Sequence, residues 1–280
     1  MIRIITDSAA DFETNELEAM GVTAIPLSVI FGEDEYKENV NLTKDEFYNI
    51  LTKNPNHPTT SQPTPEDFMN IFKEAKDAGD EILGIFISSK LSGTYQGAML
   101  GMQLCEYDNF HLVDSLSATV GERVLVEYAV KLRDEGRTLF QIASVLEEIK
   151  ENLHIFAALD TLEYLKKGGR ISASAAAIGT LANLKPIIHV GKAGVVETCA
   201  KAIGTRKAIS TIIKQLETKA PNIEFPIYLL YSFDKSNAEM LADALAKKGY
   251  VVKTKNISPV GAVIGTHVGP GAFGLVYVAK

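Results

Sequence analysis

The run Ile82-Leu83-Gly84-Ile85-Phe86-Ile87 carries no hydrogen-bonding side chain in six positions and ends abruptly on Ser88-Ser89. A strand that is apolar on both faces has no face to give to water, so it belongs inside a parallel sheet covered by helices. The first half of the chain repeats that logic. Short apolar segments at Arg3–Thr6, Thr23–Ile30 and Phe110–Val113 read as further strands. Between them, amphipathic stretches at Thr14–Met20, Thr43–Thr52, Pro65–Asp77, Gly93–Leu104 and Ser117–Glu135 read as helices. Such alternation predicts an α/β fold with a parallel sheet wrapped by helices.

A helix over Leu139–Leu153 leads into a new strand at Ile155–Leu159, and a domain boundary is placed there, between 152 and 159. The second half reads as strands near Pro186–Val190, Pro226–Tyr231, Tyr250–Ile257 and Gly274–Ala279, with helices near Thr198–Lys219 and Ser236–Lys248. The stretch from 172 to 182 holds no charge and reads as a tightly packed helix or the wall of an apolar slot.

With 280 residues and a formal charge of −7, the chain is large enough for two domains and shows no basic patch for nucleic acid. Met1–Ile5 enters a strand with no signal-peptide pattern, and no apolar run reaches membrane-spanning length. The expectation is a soluble cytoplasmic protein. Cys105 and Cys199 are isolated, with neither metal-ligand nor disulfide spacing, and read as buried small hydrophobes. Gly32–Glu38 reads as a polar hairpin or loop, not a metal site, because its carboxylates lack a ligand register.

Three hydroxyl- and glycine-rich segments stand out: Thr59–Pro63, Ser88–Tyr95 and Thr266–Gly271. The first reads as a loop pinned to a helix start, with Thr64 as N-cap and Pro65 at the first helical position. The second lies at a strand-to-helix junction, where free backbone N–H groups and the helix dipole receive a carboxylate or phosphate. The third sets His267 in a glycine-rich loop, where the backbone can approach an anionic oxygen closely. Asp7 and Asp114 read as caps for the structure that follows them, since an anion site gains nothing from added carboxylates.

Established catalytic patterns are missing. Lys90-Leu91-Ser92-Gly93-Thr94 lacks the first glycine of a nucleophile elbow. There is no phosphate loop of the G-x-x-x-x-G-K type, no H-E-x-x-H, and no glycine fingerprint after the first strand. His57, His111, His154 and His189 stand alone and read as structural. The residues leave open a binding protein, a hydrolase or transferase using Ser92 or His267, and a small-metabolite sensor, the last implied by a resemblance of fold to the dihydroxyacetone kinases.

Six motifs in order resemble the DegV family of bacterial fatty-acid-binding proteins, which includes the FakB subunits of fatty acid kinase. They are Asp7-Ser8-Ala9-Ala10-Asp11, Pro26-Leu27, Thr60-Ser61-Gln62-Pro63, Ser88–Tyr95, Lys167-Gly168-Gly169-Arg170-Ile171-Ser172 and His267–Gly271. The resemblance implies an N-terminal three-layer α/β/α domain with a parallel sheet, residues 1–155, and a C-terminal two-layer α/β domain with a mixed sheet, residues 156–280. One long-chain fatty acid, of the palmitate, stearate or oleate type, would lie between them, with no cofactor and no catalytic residue. Thr60, Ser92 and His267 would meet its carboxylate, supported by the loops of Ser61, Gly93, Thr94, Gly269 and Gly271. The resemblance further implies a non-catalytic carrier that presents the carboxylate to a separate kinase, for acyl-phosphate formation in phospholipid metabolism. Arg170 and Arg206 would face that kinase. In one place the pattern breaks, because Ile203 stands where relatives usually carry an arginine linked to kinase engagement.

Overall fold

A computed structural model of the chain describes residues 1–172 and 183–280. The chain opens with β1 (Ile2–Asp7), α1 (Thr14–Met20) and β2 (Val22–Ile25). A small antiparallel sheet follows, made of β3 (Ser28–Phe31), β4 (Asp34–Lys37) and, after α2 (Lys44–Leu51), β5 (Thr59–Ser61). Next come α3 (Pro65–Asp77), β6 (Glu81–Phe86), α4 (Thr94–Cys105), β7 (Phe110–Asp114), α5 (Val120–Asp134) and α6 (Leu139–Lys150). The second half supplies β8 (Leu153–Ala158), α7 (Glu163–Lys167), β9 (Leu184–Val190), β10 (Glu197–Ile203), α8 (Thr205–Thr218) and β11 (Tyr228–Tyr231). It ends with α9 (Ser236–Ala246), β12 (Ile257–Pro259), α10 (Ala262–Val268) and β13 (Phe273–Val278).

Strands β2-β1-β6-β7 form an all-parallel sheet with the apolar β6 at an inner position, as its composition requires. Helices α3 and α4 pack on one face of it, and α5 and α6 on the other. The second sheet runs β10-β9-β8-β13-β11-β12 and is antiparallel except between β11 and β12. Helices α8 and α9 cover its outer face, while α5 reaches β8 and β13 on its inner face. The fold is therefore a three-layer α/β/α unit with a parallel sheet and a two-layer α/β unit with a mixed sheet.

Helix α5 ties the layers into one core. Ile4, Leu83 and Val113 of the first sheet, Leu125 and Ala129 of α5, and Ile155 and Ile188 of the second sheet belong to the same buried cluster. Along β8 the side chains alternate, with Ile155 and Ala157 in this cluster and Phe156 and Ala158 in a second one beneath α8 and α9. Helices α3 and α4 meet closely at Gly101, where a Cβ would lie 2.5 Å from Phe68 Cβ and 2.8 Å from the Pro65 carbonyl oxygen.

Several boundaries differ from the sequence expectation. The single strand expected over Thr23–Ile30 is split at Pro26-Leu27 into β2 and β3, which belong to different sheets. Thr59–Ser61 is a strand, not a loop, paired with β3 through Val29 opposite Thr60. The expected helix from Thr198 starts only at Thr205, because Glu197–Ile203 is an edge strand. Of Tyr250–Ile257 only the end joins a strand, with a 3-10 turn over Thr254–Asn256 before it. His267 lies in the last turn of α10 rather than in a loop. Cys199 is exposed on β10, while Cys105 is buried as expected. Gly32–Glu38 holds the turn of the β3–β4 hairpin, and Thr64 caps α3 by accepting from the Asp67 N–H. The uncharged stretch read as a packed helix lies, from 173 to 182, outside the described residues.

Candidate functional site

The strand ends set the geometry of the site. Beyond β6 the chain turns through Ser88–Gly93 into α4; the Asp7 side chain holds the start of this turn by accepting from the Ile87 N–H and caps the 3-10 turn after β1 by accepting from the Ala9 N–H. Asp114 does the same for Ser89 and Leu116. Both aspartates thus hold backbone, in keeping with their reading as caps, although α5 starts only at Val120. Ser88 is buried and donates to the Gly194 carbonyl at 2.7 Å, tying this turn to the second half of the chain. Ser92 remains at the surface of a cavity, its Oγ 2.8 Å from Thr94 Oγ1 and accepting from the Thr94 N–H.

That cavity draws its walls from both halves of the chain. Ile155, Ala157 and Leu159 come from β8 and its end, Ile188 and Val190 from β9, and Leu230 from β11. Leu27, Ile87 and Ala118 close it from the side of the first sheet, and Val263, Ile264 and Val268 from α10. Among the described residues, the polar lining consists of Thr60, Ser92, Thr119, Arg170 and His267.

Four of these five are linked in space. Thr60 Oγ1 lies 2.9 Å from His267 Nε2. His267 packs on Gly168, where any side chain would run into its ring. Arg170 donates from Nη1 to the Gly168 carbonyl at 2.6 Å and from Nε to the Leu91 carbonyl at 3.0 Å, next to Ser92. Burial, with the Arg170 guanidinium and His57 nearby, pushes the His267 pKa down to about 4. The imidazole is therefore neutral at physiological pH, and its buried Nδ1 has no hydrogen-bond partner among the described residues. If Nε2 donates to Thr60, the Thr60 hydroxyl hydrogen is free. If Thr60 donates instead, the hydrogen sits on Nδ1. In either case the pair keeps a donor to spare beside a cation.

The supporting residues are placed differently. Thr94 is buried against Ser92, and Ser61 is exposed and bonds the Gln62 carbonyl. Gly93 makes room for the Gln62 side chain, which brings the Thr59–Ser61 strand against the start of α4. Gly269 and Gly271 have positive φ, and side chains there would strike Tyr164 and Asp160. These residues shape the turns rather than line the cavity. Arg206 lies in a groove between α8 and α9, and Ile203 is 67% exposed at the end of β10.

Sequence reasoning missed Thr119, whose hydroxyl donates to the buried Asp11, and most of the aliphatic wall. Only the alternation of Ile155, Ala157 and Leu159 could have marked that wall. His154 Nδ1 and His189 Nε2 pair at 3.0 Å away from the cavity, and His57 packs on Tyr164. Among the described residues, no three His, Cys, Asp or Glu side chains gather to hold a metal, and no helix is long and apolar enough to cross a membrane.

Comparison with known proteins sets this arrangement in a family. Residues 1–280 match the family described as uncharacterised protein, DegV family. The chain is 35% identical over 282 residues to a DegV domain-containing protein, CPE0026, of Clostridium perfringens, covering 98% of this chain and 96% of that one. A fatty-acid-binding DegV family protein from Thermus thermophilus superposes with a TM-score of 0.90 at 33% identity, over 100% of this chain and 99% of that one. A stearic-acid-binding protein from Eubacterium ventriosum superposes with a TM-score of 0.89 at 27% identity and the same coverage. The chain belongs to the DegV family.

Proposed function

We propose that the protein binds one long-chain fatty acid in this cavity, its acyl chain among the aliphatic walls and its carboxylate at Thr60, Ser92 and His267. The observation that carries this reading is the distribution of polarity. Among the described residues, the lining is aliphatic except for two hydroxyls, a neutral imidazole and one guanidinium linked through Gly168 and Leu91, with Thr119 as a further hydroxyl. Burying about fourteen methylenes at about 0.8 kcal/mol each gives roughly 11 kcal/mol of gross drive, which ordering and association costs reduce. Affinity then comes from the chain, and the polar cluster selects the end group. The names of the Thermus and Eubacterium relatives, both fatty-acid binders, support the same ligand class.

The finer reading is a carrier that presents the carboxylate to a separate fatty acid kinase, with residues 1–155 and 156–280 as the two units enclosing the ligand. Two observations count against a self-contained hydrolase. Ser92 pairs with Thr94 rather than with His267. Thr60 does face His267, but among the described residues no carboxylate meets Nδ1 to orient a general base, and Arg170 opposes the imidazolium such a base must form. Titration of delipidated protein with a long-chain acid and with the primary alcohol of equal length tests the proposal. The acid should bind tighter, and equal binding would remove the carboxylate assignment.

A further inference from the structure

We propose that Asp11 and Glu38 are positioning residues for the ligand carboxylate: they clamp the N-terminus of α10 and so fix where His267 stands. The inference rests on the reading of the cavity as a carboxylate-binding site and extends it to residues that touch no ligand.

Helix α10 has seven residues, too few to persist without support, and its first N–H groups have no partner within the helix. Two acidic side chains from the far end of the chain supply partners. Gly261 N–H donates to Asp11 Oδ1 at 2.9 Å, and Val263 N–H donates to Glu38 Oε1 at 3.0 Å. Tyr48 adds a bond from its hydroxyl to the Val260 carbonyl at 3.1 Å. The two carboxylates converge so closely on Gly261 that a Cβ there would run into both. Val263 and His267 are four residues apart, hence on one face of the helix and about 6 Å apart along its axis. Both line the cavity. A shift at the clamp is thus passed along a single turn to the imidazole.

The clamp is also tied to the opposite wall. Thr119, a cavity-lining residue with φ of 50°, donates to Asp11 Oδ2. Asp11 itself has φ of 60°, and Lys44 Nζ holds its carbonyl at 2.9 Å. The Glu38 N–H donates to the carbonyl of Leu27, another wall residue, whose own N–H donates to Ser8 Oγ. A serine or threonine at the helix start would have capped α10 locally. The long-range carboxylates instead fix α10 relative to Leu27 and Thr119, on the wall it faces. Both carboxyl groups are buried, and burial with Asp11 alongside pushes the Glu38 pKa up to about 8. Such placement is costly for capping alone and is explained by the need to register two walls.

The test compares dissociation constants for a long-chain acid and the alcohol of equal length in the wild type, Asp11→Ala, Glu38→Ala, Glu38→Gln, Gly261→Ala, His267→Ala and the Asp11→Ala/His267→Ala double variant. A positioning role predicts acid affinity about tenfold or more weaker in Asp11→Ala and Glu38→Ala, the scale of one hydrogen bond to a charged oxygen. Alcohol affinity should stay within about twofold, since the aliphatic walls remain. Glu38→Gln should restore most of the loss, because its amide oxygen can accept from Val263 N–H. The double variant should bind acid no more weakly than His267→Ala alone. Gly261→Ala, which displaces the carboxylates without removing them, should show the same acid-specific loss and keeps the test open if an alanine variant does not fold. Equal losses for acid and alcohol, or full additivity in the double variant, would overturn the inference. If the wild type prefers acid to alcohol and the clamp variants match it, only the positioning role falls. A wild type that shows no such preference removes the underlying carboxylate reading, and this inference with it.

Discussion

The Thr60 hydroxyl and the His267 Nε2 stand 2.9 Å apart although 207 positions separate them in the chain. One sits on a strand of the small antiparallel sheet and the other in the last turn of α10. The contact exists only because the fold closes α10 over β5, so this polar cluster is a product of tertiary structure. Its donors can be removed one at a time without touching the aliphatic walls.

Thr60→Ala and Ser92→Ala should each weaken long-chain acid binding by about 1.5–3 kcal/mol, the cost of one hydrogen bond to a charged oxygen. Binding of the alcohol of equal length should change far less. Dissociation constants on delipidated variants decide this, and wild-type acid affinity in both would remove these residues from the site.

The His267 pKa falls from its ordinary 6.5 to about 4 in the folded protein. Between those values the unfolded chain binds the proton that the folded state refuses, so this residue's contribution to stability is full above pH 6.5 and is lost as pH falls towards 4. The loss amounts to at most about 3 kcal/mol. Urea unfolding at a series of pH values should therefore show a shallower acid decline in His267→Gln than in the wild type. Parallel declines would mean that the imidazole is not held neutral by the fold.

Gly101→Ala should destabilise the protein by about 1–3 kcal/mol, because the added methyl meets Phe68 Cβ and the Pro65 backbone where neither can retreat. Chemical denaturation measures this directly. Fatty-acid affinity of the folded fraction should be unchanged.

Handover to a kinase is tested at Ile203. An arginine at this exposed end of β10 would act across an interface, so Ile203→Arg should raise acyl-phosphate formation by a supplied fatty acid kinase about fivefold, the scale of about 1 kcal/mol for an exposed charge. Acid affinity should not change. Arg206→Ala should lower the rate if that residue already serves the role from the first turn of α8. Equal rates in all three proteins would exclude both residues from the handover.

Much of this was legible in the sequence because the strongest signals were local. The apolar run at Ile82–Ile87 identified an inner parallel strand, and Thr64-Pro65 marked the start of α3. Where tertiary context overrode local preference, the reading failed. Glu197–Ile203 contains Ala, Lys and Glu, good helix formers, yet it pairs along β9 as an edge strand and Gly204 ends it. Tyr250–Val252 carries strand-forming side chains but reaches no sheet. The motifs named Thr60, Ser92 and His267, all of which line the cavity, but no local pattern could show that Asp11 and Glu38 meet at the start of α10.

The central claim is most directly tested by native mass spectrometry of the protein as purified, before and after extraction with organic solvent. The account predicts one non-covalent adduct per chain with the mass of a long-chain carboxylic acid, removed by extraction and restored by adding the acid back. A chain that carries no such adduct and takes up no added acid, or one that holds it covalently, would contradict the account.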